Sequence, residues 1–312
     1  MPELLPQLEN EPKPKLSELL EKYIHGDSHE HTVFKEGAYS FEQIFNYVRE
    51  EMKEGENQME FVIFTEHPSD AGDPQEVSGQ ELLMHQAEIH KFNLEQEDIG
   101  EDSPKLISGV EADIISPEGK VNVPNEVLAQ MDFVIASKHG GLEKFFGGNP
   151  SAEQLKTMYV GLMQNPNVDV IGHPNRYVEY KTMENIDWDG LLSLARETKT
   201  AFEINVNASM PEWLIKKVVQ AGVPICIGTD AHSLREYQNL PNEIQVTSEF
   251  DRLKHPLGVK YSFWKKMSKI LRTLDEAGAP PEQIINSSLG RLENWLSEEK
   301  KDRIISWQNA QT

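Results

Sequence analysis

The chain has 312 residues, of which 38% are hydrophobic and 26% are charged, and its formal net charge at pH 7 is −22. No apolar stretch approaches the roughly 18 residues that cross a bilayer, so we expect no membrane partner. The negative charge disfavours long nucleic acids, although bound divalent cations can reverse the local field for a small anion. The first residues lack the apolar core of a signal peptide and the single cysteine, Cys226, excludes an intrachain disulfide, which together favour a cytoplasmic protein.

Short apolar runs rich in β-branched residues alternate along the chain with longer amphipathic stretches. After an arm at residues 1–15 and a helix at 16–24, the runs predict seven strands, at residues 26–31, 61–65, 106–110, 133–136, 168–172, 201–206 and 223–227. Helices are predicted at residues 41–52, 79–93, 152–163, 188–199, 212–222, 260–277 and 281–298. Strands that alternate with helices in this way indicate parallel β/α units and an α/β fold.

Polar residues accompany several of these predicted helices at their N-terminal ends. Ser40 and Ser78 can cap the first two strand-connecting helices and Ser151 the third, while Asn185 or Asp187 precedes the fourth. Irregular chain is expected at residues 70–77 and 233–258. The domain organisation that follows is an N-terminal arm and helix over residues 1–24 and one barrel domain over residues 25–312.

Six of the ten histidines stand at or just beyond the end of a predicted strand, and so do two carboxylates. These residues are His29, His31, His67, His139, His173, His232, Glu111 and Asp230. In a parallel β/α barrel the C-terminal strand ends converge on one mouth. Each residue alone is a weak signal, because a single strand-end histidine is more often structural. Their shared position nevertheless predicts a site for zinc, manganese or iron, which bind imidazole and carboxylate ligands.

Six short motifs occur in the order that is found in the PHP (polymerase and histidinol phosphatase) family, and as a set they are specific. They are DSHEHT at 27–32, TEH at 65–67, GVE at 109–111, SKH at 137–139, IGHP at 171–174 and TDAH at 229–232. The chain resembles this family over residues 25–235, and residues 285–296 resemble its closing segment. The resemblance implies a distorted, TIM-like (β/α)7 barrel that holds two or three divalent metal ions at the C-terminal ends of its strands.

The same resemblance implies which residues bind each ion. It gives the first ion His29, His31, Glu111 and Asp230, the second Glu111, His139 and His173, and the third His67 and His232. The chain departs from the family at the remaining ligand of the third ion, where many members have Asp five residues after the second histidine of the first motif. Here that position is Glu36, which can also bind a metal but is one methylene longer. Glu66 likewise stands where Asp is commoner, and we interpret it as a residue that supports the ligands.

Four other polar residues lie near the motifs, and three of them invite two interpretations each. Asp27 can orient a ligand imidazole from behind, or it can serve a turn. Arg176 and Arg235 follow motif strands and can bind a phosphate, or they can form surface salt bridges. Lys138 precedes a predicted ligand and is therefore expected to point to the opposite face of its strand.

A metal centre of this kind suits in-line attack of a metal-bound hydroxide on phosphorus. The leading hypothesis is therefore a metal-dependent phosphoesterase that hydrolyses a small phosphomonoester, similar to histidinol phosphatase. A nuclease or phosphodiesterase is the alternative, since similar barrels accompany family X DNA polymerases, but no Lys/Arg cluster marks a basic groove. An amidohydrolase-type C–N hydrolase shares the metal-barrel chemistry. A non-catalytic, metal-stabilised module is disfavoured by the nearly complete ligand set.

Overall fold

Seven parallel strands form one sheet whose order follows the chain. The computed structural model describes residues 14–53, 59–69, 78–97, 103–140, 143–232 and 261–311. The strands are β1 (Gly26–Glu30), β2 (Phe61–Glu66), β3 (Lys105–Asp113), β4 (Phe133–Ser137), β5 (Val170–Gly172), β6 (Ala201–Asn205) and β7 (Ile225–Gly228). The sheet curls into a nearly closed barrel with helices between its strands, which confirms the predicted distorted (β/α)7 fold.

The helices of the described residues surround this barrel. They are α1 (Leu16–Tyr23), α2 (Phe41–Lys53), α3 (Gln80–Glu97), α4 (Asn125–Leu128), α5 (Glu143–Phe146), α6 (Ala152–Met163), α7 (Tyr180–Glu184), α8 (Trp188–Thr198), α9 (Glu212–Gln220), α10 (Tyr261–Glu276), α11 (Leu289–Asn294) and α12 (Lys300–Gln311). A π-helical turn, Trp295–Glu299, joins the last two. Within the described part of the chain, no helix is both long and apolar enough to cross a membrane.

Three of the N-terminal helix caps that the sequence predicts are present in the structure. The hydroxyls of Ser40 and Ser151 accept hydrogen bonds from the backbone N–H three residues later, at the starts of α2 and α6. Asp187, rather than Asn185, caps α8 by accepting from the N–H of Gly190. The short helices α4, α5 and α7 were not predicted, because four or five residues carry too little periodicity to be recognised. The segments 70–77 and 233–258 lie outside the described residues.

Side chains of alternate strand residues enter two separate apolar layers. In β2, Val62 and Phe64 pack outward against the helices, whereas Phe61 and Ile63 belong to a smaller cluster inside the barrel. This alternation follows from the two-residue period of a strand. The inner cluster also contains Trp295, which is fully buried, so the C-terminal helices fill the N-terminal end of the barrel. We call this end the base.

The seam between β1 and β7 is closed by two different means. Towards the C-terminal strand ends, Asp230 N–H donates to His29 O at 2.8 Å and His31 N–H donates to Ala231 O at 3.0 Å. Towards the base, the Asn286 side chain donates to Gly26 O and Ile227 O, at 3.0 and 2.7 Å, and accepts from Ile227 N–H. The side chain of Asn286 therefore takes the place of backbone pairing there.

The predicted helix at residues 281–298 is wrong in its bounds. Only a 3₁₀ turn forms at Pro281–Gln283, and Ile284 is extended and pairs with Ile225 of β7 as an isolated parallel bridge. Ile285 N–H donates to Ile225 O at 2.8 Å. Because residues 284–286 are needed at the seam, the helix begins only at Leu289, where the Ser288 hydroxyl caps it, and helical structure continues to Gln311.

Candidate metal centre

The barrel brings the eight predicted strand-end histidines and carboxylates together at its C-terminal end, which we call the mouth. Strand β1 carries His29, β3 carries Glu111, and the other residues lie just beyond β1, β2, β4, β5 and β7. All are buried except His232, whose side chain is 30% exposed. The clustering follows from the parallel topology, which places every strand's carboxyl end on one side of the molecule.

The carboxylate of Glu111 lies at the centre of this cluster. Five ring nitrogens lie within 3.5 Å of its oxygens. The Nε2 atoms of His173 and His139 are 2.9 and 3.3 Å from Oε1. Those of His29, His67 and His31 are 3.2, 3.2 and 3.5 Å from Oε2. Because it presents one oxygen to each group of rings, Glu111 has the geometry that a carboxylate bridging two cations requires.

Asp230 forms the second carboxylate of the mouth. Its Oδ1 lies 3.2 Å from His232 Nε2 and 3.5 Å from His31 Nε2, and its Oδ2 accepts from Arg176 at 2.7 Å. Asp230 and His173 both have positive φ angles, of 55° and 21°. A non-glycine residue in this region is strained by about 1 to 2 kcal/mol, and such strain concentrates where side chains must be aimed at a site.

Two groups of side chains have donor atoms close enough together to hold a metal ion. One is His29, His31, Glu111 and Asp230, and the other is His67, Glu111 and His139, with the atoms of each group within 4.8 Å of one another. The first group matches the set that the family resemblance implies for the first ion. The second differs, since it pairs His139 with His67, whereas His173 contacts Glu111 without joining the group.

Five predicted site residues join neither group: His173, His232, Arg176, Glu36 and Arg235. Glu36 is exposed, and its charge acts on His67 and His232 across the mouth. Arg235 lies outside the described residues. Among the described residues no third group of donor atoms lies close enough together to hold an ion, so the third metal site stays a prediction.

The electrostatics of the mouth fit a cation. Burial lowers the pKa of His31 to about 3 and also lowers that of His67, so both rings are neutral. Burial opposes charge on His139 as well, but Glu111 and Asp113 outweigh it and raise its pKa to about 10. Oε2 of Glu111 is buried and has no hydrogen-bond partner among the described residues. A carboxylate oxygen that faces ring nitrogens without hydrogen bonds is suited to a shared divalent ion, which competes with protons for the same lone pairs.

Carboxylates behind the rings support them, and sequence reasoning missed two of these. Glu203 of β6 lies 2.7 Å from Nδ1 of His29, and Asp113 forms a short hydrogen bond with Nδ1 of His139. Each leaves Nε2 of its imidazole directed at Glu111. The available signals were weak: Asp113 follows Glu111 by two residues on the same strand, and Glu203 is a charged residue inside an apolar run.

Asp27 and Glu66 hold backbone rather than rings. Asp27 accepts from the backbone N–H groups of His29 and Thr229, both at 3.1 Å, and from the Thr229 hydroxyl, so it ties β1 to β7 and does not contact an imidazole. Glu66 accepts from the N–H and hydroxyl of Thr32, next to His31. Burial raises the pKa of Asp27 to about 6 and that of Glu66 to about 7.

Two cationic side chains organise the loop that follows β5. Lys138 is buried and donates to the carbonyl of Tyr177 at 2.6 Å. Arg176 lies over the Tyr177 ring, 5.2 Å from its centroid, while it donates to Asp230. Arg176 thus stands at the edge of the mouth with its side chain 32% exposed.

Comparisons with known proteins agree with this architecture. No protein-family model matches the chain. The chain is 31% identical over 215 residues to the DNA polymerase/3'-5' exonuclease PolX of Bacillus subtilis, which covers 68% of this chain but only 35% of that protein. It is 25% identical over 295 residues to a probable phosphatase of Caldanaerobacter subterraneus subsp. tengcongensis, covering 91% of this chain and 95% of the relative.

A solved structure shares the fold. It is the histidinol phosphate phosphatase of Lactococcus lactis in complex with zinc, L-histidinol and phosphate, with a TM-score of 0.51, 18% identity and coverage of 81% of this chain and 94% of that one. Fold and site together define a seven-stranded β/α barrel with a histidine and carboxylate centre suited to divalent metal ions. The chain belongs to the PHP family, as its motifs predict.

Proposed function

We propose that this protein is a metal-dependent phosphoesterase that hydrolyses a small phosphomonoester. The observation that carries the proposal is the carboxylate of Glu111, which faces five histidine rings and shares its two oxygens between two potential metal-binding groups. Relatives described as probable phosphatases align over nearly their whole length, which supports the same chemistry. The net charge of −22 favours a compact substrate over a long polyanion.

The proposed centre holds two or three divalent ions. His29, His31, Glu111 and Asp230 would bind the first, and Glu111 would share the second with His139 and either His173 or His67. His67, His232 and Glu36 would complete a third site. Ions bound there would supply Lewis-acid stabilisation of the phosphate and an activated water at neutral pH. Zinc, manganese and iron all accept this donor set.

The protein's own residues would then bind and orient the substrate. Arg176 presents a planar guanidinium with five N–H donors, of which Asp230 engages one, so other donors can reach a phosphate oxygen at the mouth. Arg235, which follows the motif TDAH in the sequence, is proposed for the same task. The buried walls of the mouth exclude bulk water and so strengthen both interactions.

The test combines metal content with turnover. The purified protein should contain two or three divalent ions per chain and should hydrolyse p-nitrophenyl phosphate when zinc, manganese or iron is present. His29→Ala and Asp230→Ala should abolish this hydrolysis, whereas the exposed Asp302→Asn should leave it unchanged. A fully folded protein that is active without any metal, or near-normal turnover in either mouth variant, would contradict the proposal.

A second candidate function is phosphodiester hydrolysis at a nucleic-acid end. It is favoured by the 31% identity to an exonuclease-bearing polymerase, although the chain spans about a third of that relative. A panel of small phosphomonoesters and end-labelled oligonucleotides, assayed with the same metals, separates the two candidates. Preferred cleavage of the oligonucleotides would replace the leading proposal with this one.

A further inference from the structure

Strand β6 supplies none of the predicted metal ligands, yet it places a carboxylate directly behind two of them. Glu203 is fully buried. Its Oε1 lies 2.7 Å from Nδ1 of His29, and its Oε2 accepts from the backbone N–H of His173 at 2.6 Å. The Asn205 side chain donates to Oε1 at 3.1 Å. One side chain therefore contacts a histidine from β1 and a histidine that follows β5.

Glu203 reaches His29 only because the residue of β7 between them has no side chain. Strand β7 lies between β6 and β1 in the sheet, and its residue Gly228, which pairs in register with Asn205, lies beside the Glu203 carboxylate. A Cβ atom at Gly228 would lie 2.6 Å from Glu203 Oε1 and 2.6 Å from the Cβ of His29. Both distances are far below van der Waals contact. Any side chain at Gly228 would therefore push apart the carboxylate and the ligand that it supports.

The chemistry of the two contacts demands a carboxylate. A carboxylate only accepts hydrogen bonds, so the ring of His29 must donate through Nδ1–H, and Nε2, on the Glu111 side of the mouth, is the nitrogen available to a metal ion. The second oxygen meets the N–H of His173, where φ is positive and the backbone needs support. Glutamine in place of Glu203 offers one acceptor and one donor, so either one of the two contacts becomes donor against donor or the His29 ring moves its proton to Nε2, the nitrogen on the Glu111 side.

We propose that Glu203 is a positioning residue that sets the tautomer of His29 and the backbone of His173, and that Gly228 is required for this contact. The proposal rests on the proposed metal centre, because its consequence is that Glu203 links a ligand of the first ion to a residue at the second. Glu203 would then govern how tightly and in which geometry the ions bind without touching them.

The experiment uses Co²⁺ alone as the probe, since its visible spectrum reports coordination geometry as well as occupancy. Metal-free Glu203→Gln should bind Co²⁺ about 10- to 100-fold more weakly than the unmodified protein, with an altered absorption spectrum. Gly228→Ala should reproduce both effects, although it keeps the carboxylate. Turnover of p-nitrophenyl phosphate at saturating Co²⁺ serves as a second measure.

Two matched variants separate positioning from general destabilisation. Asp169→Asn alters a buried carboxylate that contacts no predicted ligand, and Gly26→Ala places a methyl group against the Phe61 ring at the base. Both should lower thermal stability while Co²⁺ affinity and spectrum stay at the values of the unmodified protein. Affinity and spectrum that are equally unchanged in folded Glu203→Gln would overturn the proposal and leave the metal centre intact. Failure of the unmodified protein to bind Co²⁺ would overturn both.

A measurement on the unmodified protein covers the case in which the variants do not fold. Long-range ¹H–¹⁵N correlation spectra of the zinc-loaded protein, with His29 assigned by comparison with selectively labelled samples, identify which ring nitrogen carries the proton. The expected result is a protonated Nδ1 with Nε2 bound to metal. A protonated Nε2 at His29 would overturn the proposal, because Glu203 could then not accept from the ring.

Discussion

The two ends of the barrel both bury charge, but they differ in how completely that charge is satisfied. At the base, Asp169 accepts from Lys300, Arg303 and the N–H of Val134, so its two oxygens meet two cations and an amide. At the mouth, Glu111 faces imidazoles only, and its Oε2 has no hydrogen-bond partner among the described residues. A buried carboxylate that is paired with cationic side chains holds structure together, whereas one that faces only ring nitrogens is suited to bind a divalent cation.

Glu111→Gln tests the incomplete end and should have the largest effect. An amide binds metal weakly and cannot bridge two ions, so we expect kcat/KM for p-nitrophenyl phosphate to fall by about a thousandfold or more, equivalent to about 4 kcal/mol. Metal content measured by mass spectrometry should fall in parallel. The far-ultraviolet circular dichroism should match that of the metal-free unmodified protein. Retention of both activity and metal would show that the mouth is not the reactive centre.

Asp169→Asn tests the complete end. It leaves Lys300 and Arg303 buried without their carboxylate, and breaking a buried ion pair in this way costs about 3 to 5 kcal/mol of unfolding free energy. Urea unfolding at pH 7 measures the loss, and kcat should stay unchanged in the folded protein. Asp302 lies on the same helix as Lys300 and Arg303 and forms an exposed ion pair with Lys199. Asp302→Asn should therefore cost under about 0.5 kcal/mol of unfolding free energy. Equal effects of the two variants would show that the buried ion pairs of Asp169 stabilise the fold no more than an exposed pair does.

His85 sharpens the comparison, since it is a buried histidine of α3 that belongs to neither predicted metal-binding group. It packs against Phe34 and Phe41, and burial lowers its pKa to about 4. Between pH 6.5 and 4 the unfolded chain binds a proton that the folded protein does not, so the free energy of unfolding falls as the pH falls. His85→Leu should therefore reduce the loss of stability between pH 7 and pH 5 by about 2 kcal/mol.

The measurement is urea unfolding of the metal-loaded protein at both pH values. His90→Gln, on the exposed side of the same helix, is the matched control and should leave the difference as it is. A pH dependence that is identical in His85→Leu and the unmodified protein would mean that another group causes the loss.

Arg176→Ala should have the smallest effect. Loss of one charge-assisted contact to phosphate should raise KM for p-nitrophenyl phosphate about tenfold, equivalent to about 1.4 kcal/mol. Arg176→Lys should lie between, because an ammonium keeps the charge without the planar fork. Exposed Arg196→Ala should leave KM unchanged. If KM stays constant while kcat and metal content fall, Arg176 acts only by holding Asp230.

The parts of this site that sequence could predict are those that a strand places by itself. His29 and His31 are two residues apart on one predicted strand, and the motif residues all stand at strand ends, so local position and parallel topology predict their convergence. Glu203 was missed because its partner His29 is 174 residues away, and nothing local marks a contact that requires Gly228 to have no side chain. The late start of the helix at Leu289 was missed for the same reason, since the demand on residues 284–286 comes from β7.

The Asn286 side chain, which closes the seam between β1 and β7, has a consequence for the order in which the protein can fold during synthesis. All seven strands and the buried ligands belong to residues 26–232, but the amide of Asn286 and the indole of Trp295 follow later in the chain. Until the ribosome has released them, the inner cluster that contains Phe61 and Phe133 lacks Trp295, and apolar surface exposed in this way invites aggregation. The mouth can thus form early, whereas residues 284–303 close the barrel at its base only after they have been synthesised.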